Sequence, residues 1–226
     1  MLARVLSLVA CVLLSGGVVF ANPVNASHPR LLLTAANRTR LLAKRDANDP
    51  SWMALKARAD TLATYSIHPY KFATNSQAPE GTIYYGYQAE SWFAATLPLA
   101  LAYQMTGDTK YSNKLIQLAQ EMIRAQSDPD NNPPNGQPPI RLDSYYPSRY
   151  APAVLGFIYD YCYDQLSASL KTQMVALMNA YFDDLKVNGY QAQDYSSGAD
   201  GNYFGGHLYG AAMMGYASFE IGRAHV

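Results

Sequence analysis

The amino-acid sequence predicts an all-α protein made of consecutive antiparallel helical hairpins. Apolar residues recur at helical spacing through most of the stretch from residue 35 to residue 219. Helix stop and start signals fall almost back to back, as in Thr106-Gly-Asp108 and around Leu166-Ser167. No segment carries a strong strand pattern.

The elements follow in order. Thr34 is suited to cap a helix from about 35 to 47. Pro50 fits the first turn of a second helix that carries Trp52, Leu55, Ala59, Leu62 and Ala63 on one side. Residues 66–84 read as a long loop. The stretch from Gln88 to Met105 is helical, with Trp92, Leu99, Tyr103 and Phe93, Leu97, Leu101 at helical spacing and a bend expected at Pro98. Gly107 suits a left-handed cap and Asp108 caps the next helix, Lys110 to Gln126, whose inward residues are Leu115, Leu118, Met122 and Ile123. So short a link makes the two helices antiparallel neighbours. A second hairpin runs from Pro147 to about Asp164 and from Ala168 to Val187, closed by Asn188-Gly189. A last helix begins near Asn202. Sequential hairpins of this kind build a bundle or a toroid, with loops at one end forming a cleft.

Composition narrows the function classes. The chain has 17 Lys and Arg against 17 Asp and Glu, a balance that argues against nucleic acid as the main partner. The cluster Arg38, Arg40, Lys44, Arg45, Lys56 and Arg58 reads as a solvated helix face, with Asp46, Asp49 and Asp60 nearby. The 19 Tyr outnumber 7 Phe and 2 Trp. Tyrosine offers an apolar face with a polar tip, which serves a sugar-binding cleft or a wet helical core.

The two ends read as non-structural. Arg4 and the apolar run Val5 to Phe20, followed by Val19-Phe-Ala21, have the form of a secretory signal over residues 1–21, and Val24-Asn25-Ala26 offers a second cleavage position. The run is short beside the about 20 residues of a membrane span, so no stable membrane insertion is expected after cleavage. Leu8-Val-Ala-Cys11 comes too early for a lipidation box. Of the 2 Cys, Cys11 leaves with the signal, and Cys162 is expected as a buried thiol in an aromatic helix. Residues 220–226 resemble the translation of a sequencing-library adapter. The expected organisation is a signal (1–21), a partial helical domain (22–219) and an artefactual tail. An incomplete helical ring would leave apolar faces uncovered, so low solubility or self-association is expected.

Candidate chemistry gathers in Asn202-Tyr-Phe-Gly-Gly-His-Leu-Tyr-Gly210. In a helix, Tyr203 and His207 share a face. Gly205, Gly206, Gly210 and Gly215 are costly in a helix interior, which points to close approach by another helix or a ligand. Asn202 reads equally as an N-cap or a catalytic amide, and His207 as a core histidine or a base. Asp128, Asp130 and Asn132 mimic the start of an EF-hand loop, but Pro133 occupies the glycine position and no glutamate closes it, so calcium is rejected there.

Four segments resemble the heparinase II/III and alginate lyase type of polysaccharide lyase: His28-Pro-Arg-Leu-Leu-Leu-Thr34, Ala102-Tyr-Gln-Met-Thr-Gly-Asp108, Arg149 followed by Tyr159-Asp160, and Asn202 with His207. The resemblance implies an (α/α) toroid and a secreted or periplasmic enzyme that cleaves a uronic-acid polysaccharide by β-elimination. It implies Asn202 as the amide that neutralises the substrate carboxylate, His207 as a base and a tyrosine as acid. Tyr203, Tyr209, Tyr145 and Tyr146 are the local tyrosines. Arg149 is a candidate partner for a substrate carboxylate, or else for Asp160 or Asp143 in the fold. Trp92, Tyr145, Tyr146 and Tyr209 are candidate substrate contacts. No cofactor or metal is expected, and the fragment is expected to be inactive by itself. A toroid glycoside hydrolase is the alternative, using two of Glu90, Asp143, Asp194 and Asp200. A non-catalytic glycan-binding domain is the third reading.

Overall fold

The computed structural model of the chain describes residues 27–68, 79–85, 89–127, 150–188 and 202–218. The expected signal, the proline-rich loop at 128–149, the polar loop at 189–201 and the tail at 220–226 lie outside the described residues. The elements are α1 (Ala35–Asp46), α2 (Pro50–Thr64), β1 (Ser66–His68), β2 (Thr82–Tyr84), α3 (Glu90–Thr106), α4 (Thr109–Ser127), α5 (Ala151–Tyr161), α6 (Ala168–Asn188) and α7 (Asn202–Ser218). The chain is mostly helical, as its periodicity predicts. One correction concerns the segment at 66–84. Its two ends pair as short parallel strands, with Ile67 opposite Ile83. Ile83 is buried, so an apolar anchor stabilises a pairing too short to show a period of two.

Local chemistry explains the helix ends. The Thr34 hydroxyl accepts from the Asn37 N–H at 3.2 Å. The Asp49 carboxylate accepts from the Ser51 N–H at 2.9 Å, and Pro50 occupies the first turn. The Ser51 hydroxyl, and after it Lys44, hold the Asp49 carboxyl well below the usual carboxylate range. Gly107 adopts φ 72°, and its N–H donates to the Tyr103 carbonyl at 2.7 Å. That left-handed turn is cheap only for glycine. Asp108 Oδ1 then accepts from the Lys110 N–H at 3.0 Å. Helix α3 continues through Pro98.

At the C-termini, neighbouring elements supply donors to carbonyls that a helix leaves unpaired. Arg45 donates to the Met105 carbonyl at the end of α3, and Lys114 to the Tyr65 carbonyl just past α2. Gln104 Nε2 donates to the Tyr161 carbonyl at the end of α5 at 2.6 Å, and Arg30 Nη1 to the Ala217 carbonyl of α7 at 3.3 Å. Burial pushes the Lys114 ammonium below its ordinary range, and the carbonyl end of α2 is a favourable place for a cation.

These contacts also fix directions. The C-terminal end of α1 meets that of α3 through Arg45, and α3 meets α5 through Gln104. The N-terminal ends of α3 and α5 meet through Phe93 and Tyr150, whose rings are 5.2 Å apart. Helices α1, α3, α5 and α7 contact each other in succession, as do α2, α4 and α6, and each helix also touches its sequence neighbours. The described helices therefore form two layers, with odd-numbered helices in one and even-numbered helices in the other. Helix α5 is the hub: all of its residues from Ala151 to Tyr161 are buried. Helices α4 and α6 bury one face only, with Leu115, Leu118 and Met122 on the first and Leu170, Met174, Met178 and Tyr181 on the second.

The close approach is made by Gly156 of α5. A Cβ there would lie 2.9 Å from the Met213 carbonyl oxygen and 3.0 Å from its carbon. By contrast, Gly205 and Gly215 of α7 face open space, so the close contact expected at those glycines is not found at these two. Gly156→Ala is expected to cost about 1–3 kcal/mol through overpacking against backbone that cannot move aside. Gly215→Ala is expected to stabilise by about 0.5–1 kcal/mol through helix propensity. Urea unfolding of both variants checks the pair, and equal effects would contradict the α5–α7 contact.

An ionic cluster ties α2 to α4. Asp60 accepts from Lys56 Nζ at 2.7 Å, Lys110 Nζ at 2.8 Å and the Tyr111 hydroxyl at 2.7 Å. Lys110, then Lys56 and Tyr111, hold the Asp60 carboxyl far below its usual range. A depressed native value means that the contribution is present above the unfolded value and is lost as pH falls. The urea midpoint difference between wild type and Asp60→Asn is therefore expected to shrink between about pH 5 and about pH 3. A difference independent of pH would contradict the assignment.

Candidate functional site

The three long connections, 65–89, 128–150 and 189–201, each join an even-numbered helix to the next odd-numbered one. The three short ones lie at the opposite end. Because α3, α5 and α7 run in the same direction, their N-termini gather at the long-loop end. Each of these N-termini carries partial positive charge, and the C-terminal ends of α2, α4 and α6, with partial negative charge, lie at the same end.

Helix α7 supplies the candidate residues. Its buried arc runs through His207, Gly210, Met213, Met214, Ala217 and Ser218. His207 is 8 % exposed. Its exposed arc carries Gly205, Leu208, Tyr209, Ala212 and Tyr216, none of them charged. Asn202 is the first residue of α7, rather than a cap preceding it. The helical turn places Tyr203 about 40° and Asn202 about 140° around the axis from His207. Tyr209 is on the exposed arc, roughly 160° from His207. Trp92, expected as a substrate contact, is fully enclosed in α3, its ring edge-on to Tyr85 at 4.9 Å. It offers no solvent-facing ring in this arrangement, because α3 is buried on nearly every side. Half-buried Phe93 and Tyr150 lie at the same end. Tyr145, Tyr146, Arg149, Asp143, Asp194 and Asp200 lie outside the described residues. Glu90 is exposed in the first turn of α3.

The opposite end holds a second polar centre, which local sequence signals do not reveal. Asp160 is 1 % exposed. His28 Nδ1 lies 2.6 Å from its Oδ1, so Nδ1 carries the proton. The Arg30 N–H donates to both carboxylate oxygens at 2.8 Å, and the Leu31 N–H to Oδ2 at 2.7 Å. Asp160 therefore takes its partners from the N-terminal segment. The Tyr161 hydroxyl returns a bond to the Leu31 carbonyl at 2.9 Å. Leu31 and Leu33 are buried while Leu32 points outward. Residues 28–33 thus form a strap across the ends of α5 and α7.

Beside the strap is a cavity of about 350 Å³ lined by Ser27, His28, Gln104, Asp160, Tyr161, Tyr163 and Asp164. The His28 ring stacks on Tyr163 at 3.8 Å, and Lys171 Nζ is 3.5 Å from the centre of the same ring. The Tyr103 hydroxyl donates to Asp164 Oδ2 at 2.6 Å, and burial, then Asp164, push that phenol upward. Cys162 is fully buried and burial pushes its thiol upward, which suits an inert core residue and not a nucleophile. Among the described residues, no three His, Cys, Asp or Glu side chains gather as a metal site, and no helix is long and apolar enough to cross a membrane. Compared with known proteins, the chain matches no protein-family model and no curated protein.

Proposed function

We propose that the chain is the helical part of an exported polysaccharide lyase of the (α/α)-toroid type, acting on a uronic-acid polysaccharide by β-elimination. The observation that carries this reading is the two-layered packing, with three helix N-termini gathered at the long-loop end and His207 on the same helix as Asn202 and Tyr203. In the reaction, a base takes the C5 proton of the uronic acid and the C4 oxygen leaves. Asn202 neutralises the carboxylate, His207 takes the proton, and Tyr203 or another tyrosine of this end protonates the leaving oxygen. Arg149, Tyr145, Tyr146 and Tyr209 contact the glycan. The part played by Trp92 is to hold the end of α3 by packing.

Product analysis tests this. The protein expressed from its source reading frame is incubated with polymannuronate, polyguluronate, chondroitin and heparan chains. Elimination leaves an unsaturated, ultraviolet-absorbing uronyl end. Saturated ends would replace the lyase by a hydrolase using paired carboxylates. Binding without products would make the domain a glycan-binding one.

A further inference from the structure

The cavity at the short-turn end has no part in the elimination chemistry, and two carboxylates, Asp160 and Asp164, line it. Asp160 is saturated by His28 and the strap N–H groups. Asp164 is not: its Oδ2 accepts from Tyr103 and, at 3.2 Å, from Gln165, and no Lys or Arg among the described residues pairs with it. Nearby, His28 is bonded to Asp160, and Lys171 lies over the Tyr163 ring. A polar cavity of this sign suits an ammonium group.

The chain itself holds a source of one. Ser27 is exposed and lines the cavity. Immediately before it stands Val24-Asn25-Ala26, with small residues where a signal peptidase reads them. We propose that cleavage falls between Ala26 and Ser27, and that the α-ammonium of Ser27 is the group this cavity holds, facing the Asp164 carboxylate. The inference rests on the export reading and not on the lyase reading. Hydrolysis by the host's signal peptidase breaks the Ala26–Ser27 amide with one water. The water oxygen ends in the Ala26 carboxylate, and the nitrogen leaves as the Ser27 ammonium. Because His28 is fixed on Asp160, the new ammonium is tethered one residue from an anchored ring, which keeps its effective concentration in the cavity high. Cleavage after Ala21 would instead leave residues 22–26 in between and no new charge beside Asp164.

The test uses the full chain expressed in a secreting host, with intact mass and N-terminal sequencing followed by acylation with an amine-reactive ester at neutral pH. The mature protein is expected to begin at Ser27. Its α-amine is expected to react about tenfold more slowly in the folded protein than in urea, because an opposite charge favours the protonated, unreactive form. Asp164→Asn is expected to remove that protection, and Tyr103→Phe, which leaves the carboxylate in place, to keep it. A mature chain beginning at Asn22 overturns the inference and leaves export standing. A chain still beginning at Met1 overturns both. A Ser27 terminus that reacts equally fast in wild type and Asp164→Asn overturns the seat in the cavity.

Discussion

Asp160→Ala is expected to lower the unfolding free energy by about 3–5 kcal/mol, the cost of removing one partner from a buried charged network. The reason is geometric. One carboxylate accepts from His28, from the Arg30 N–H with both oxygens and from the Leu31 N–H, all at 2.6–2.8 Å and away from water. Alanine leaves two backbone donors and an imidazole N–H buried without an acceptor, and each such orphan costs about 1–3 kcal/mol. Domains of this size have about 5–15 kcal/mol in all, so the variant is expected to be largely unfolded at physiological temperature. Asp160→Asn keeps one acceptor oxygen and should lose less. Urea denaturation with a matched His28→Ala variant checks the scheme. The two substitutions share one network, so the double variant should be less destabilised than the sum of the singles. Additive losses, or a loss for Asp160→Ala inside the roughly 0.5 kcal/mol typical of surface changes, would show that the strap is not held this way.

The second large effect is on turnover. In the proposed lyase, His207→Ala is expected to reduce kcat/KM by about 10²–10⁴-fold, the range for a positioned general base. His207 is buried in α7, so alanine also removes packing. For that reason, His207→Gln is the decisive variant. It fills much of the same volume and keeps hydrogen-bonding groups, but it cannot take a proton. A loss of kcat with an unchanged urea midpoint supports the base, whereas wild-type turnover in folded His207→Gln would reduce His207 to a core histidine. Asn202→Ala separates the other role: if the amide neutralises the substrate carboxylate in the transition state, kcat falls with it.

Much of the helical architecture was legible locally. The caps at Thr34, Gly107 and Asp108 are short-range chemistry, and the structure shows each one making the bond that its residue type calls for. The apolar stripe of α4 is likewise a matter of spacing. The hub helix α5 was harder. It is apolar on every side, so periodicity says that it is buried but not against which neighbours. The strand pair was missed because three residues are too few to display alternation.

The candidate site divides in the same way. That His207 and Tyr203 share a face follows from a spacing of four residues, and that Asn202 does not follows from a spacing of five. Enclosure of Trp92 could not be read from its type, because aromatic residues serve both cores and platforms. Gly205, Gly215 and Gly156 look alike in the sequence, yet only a neighbouring backbone distinguishes open space from a contact that forbids a Cβ.

By itself, the sequence determined the helices and their pairing into hairpins, because those depend on residues within a few positions of each other. Only the tertiary structure decided the pairing of His28 with Asp160, 132 residues apart. It also decided which helix yields at the α5–α7 crossing. Those properties arise where distant segments share one volume and one local field, and no local pattern carries that information.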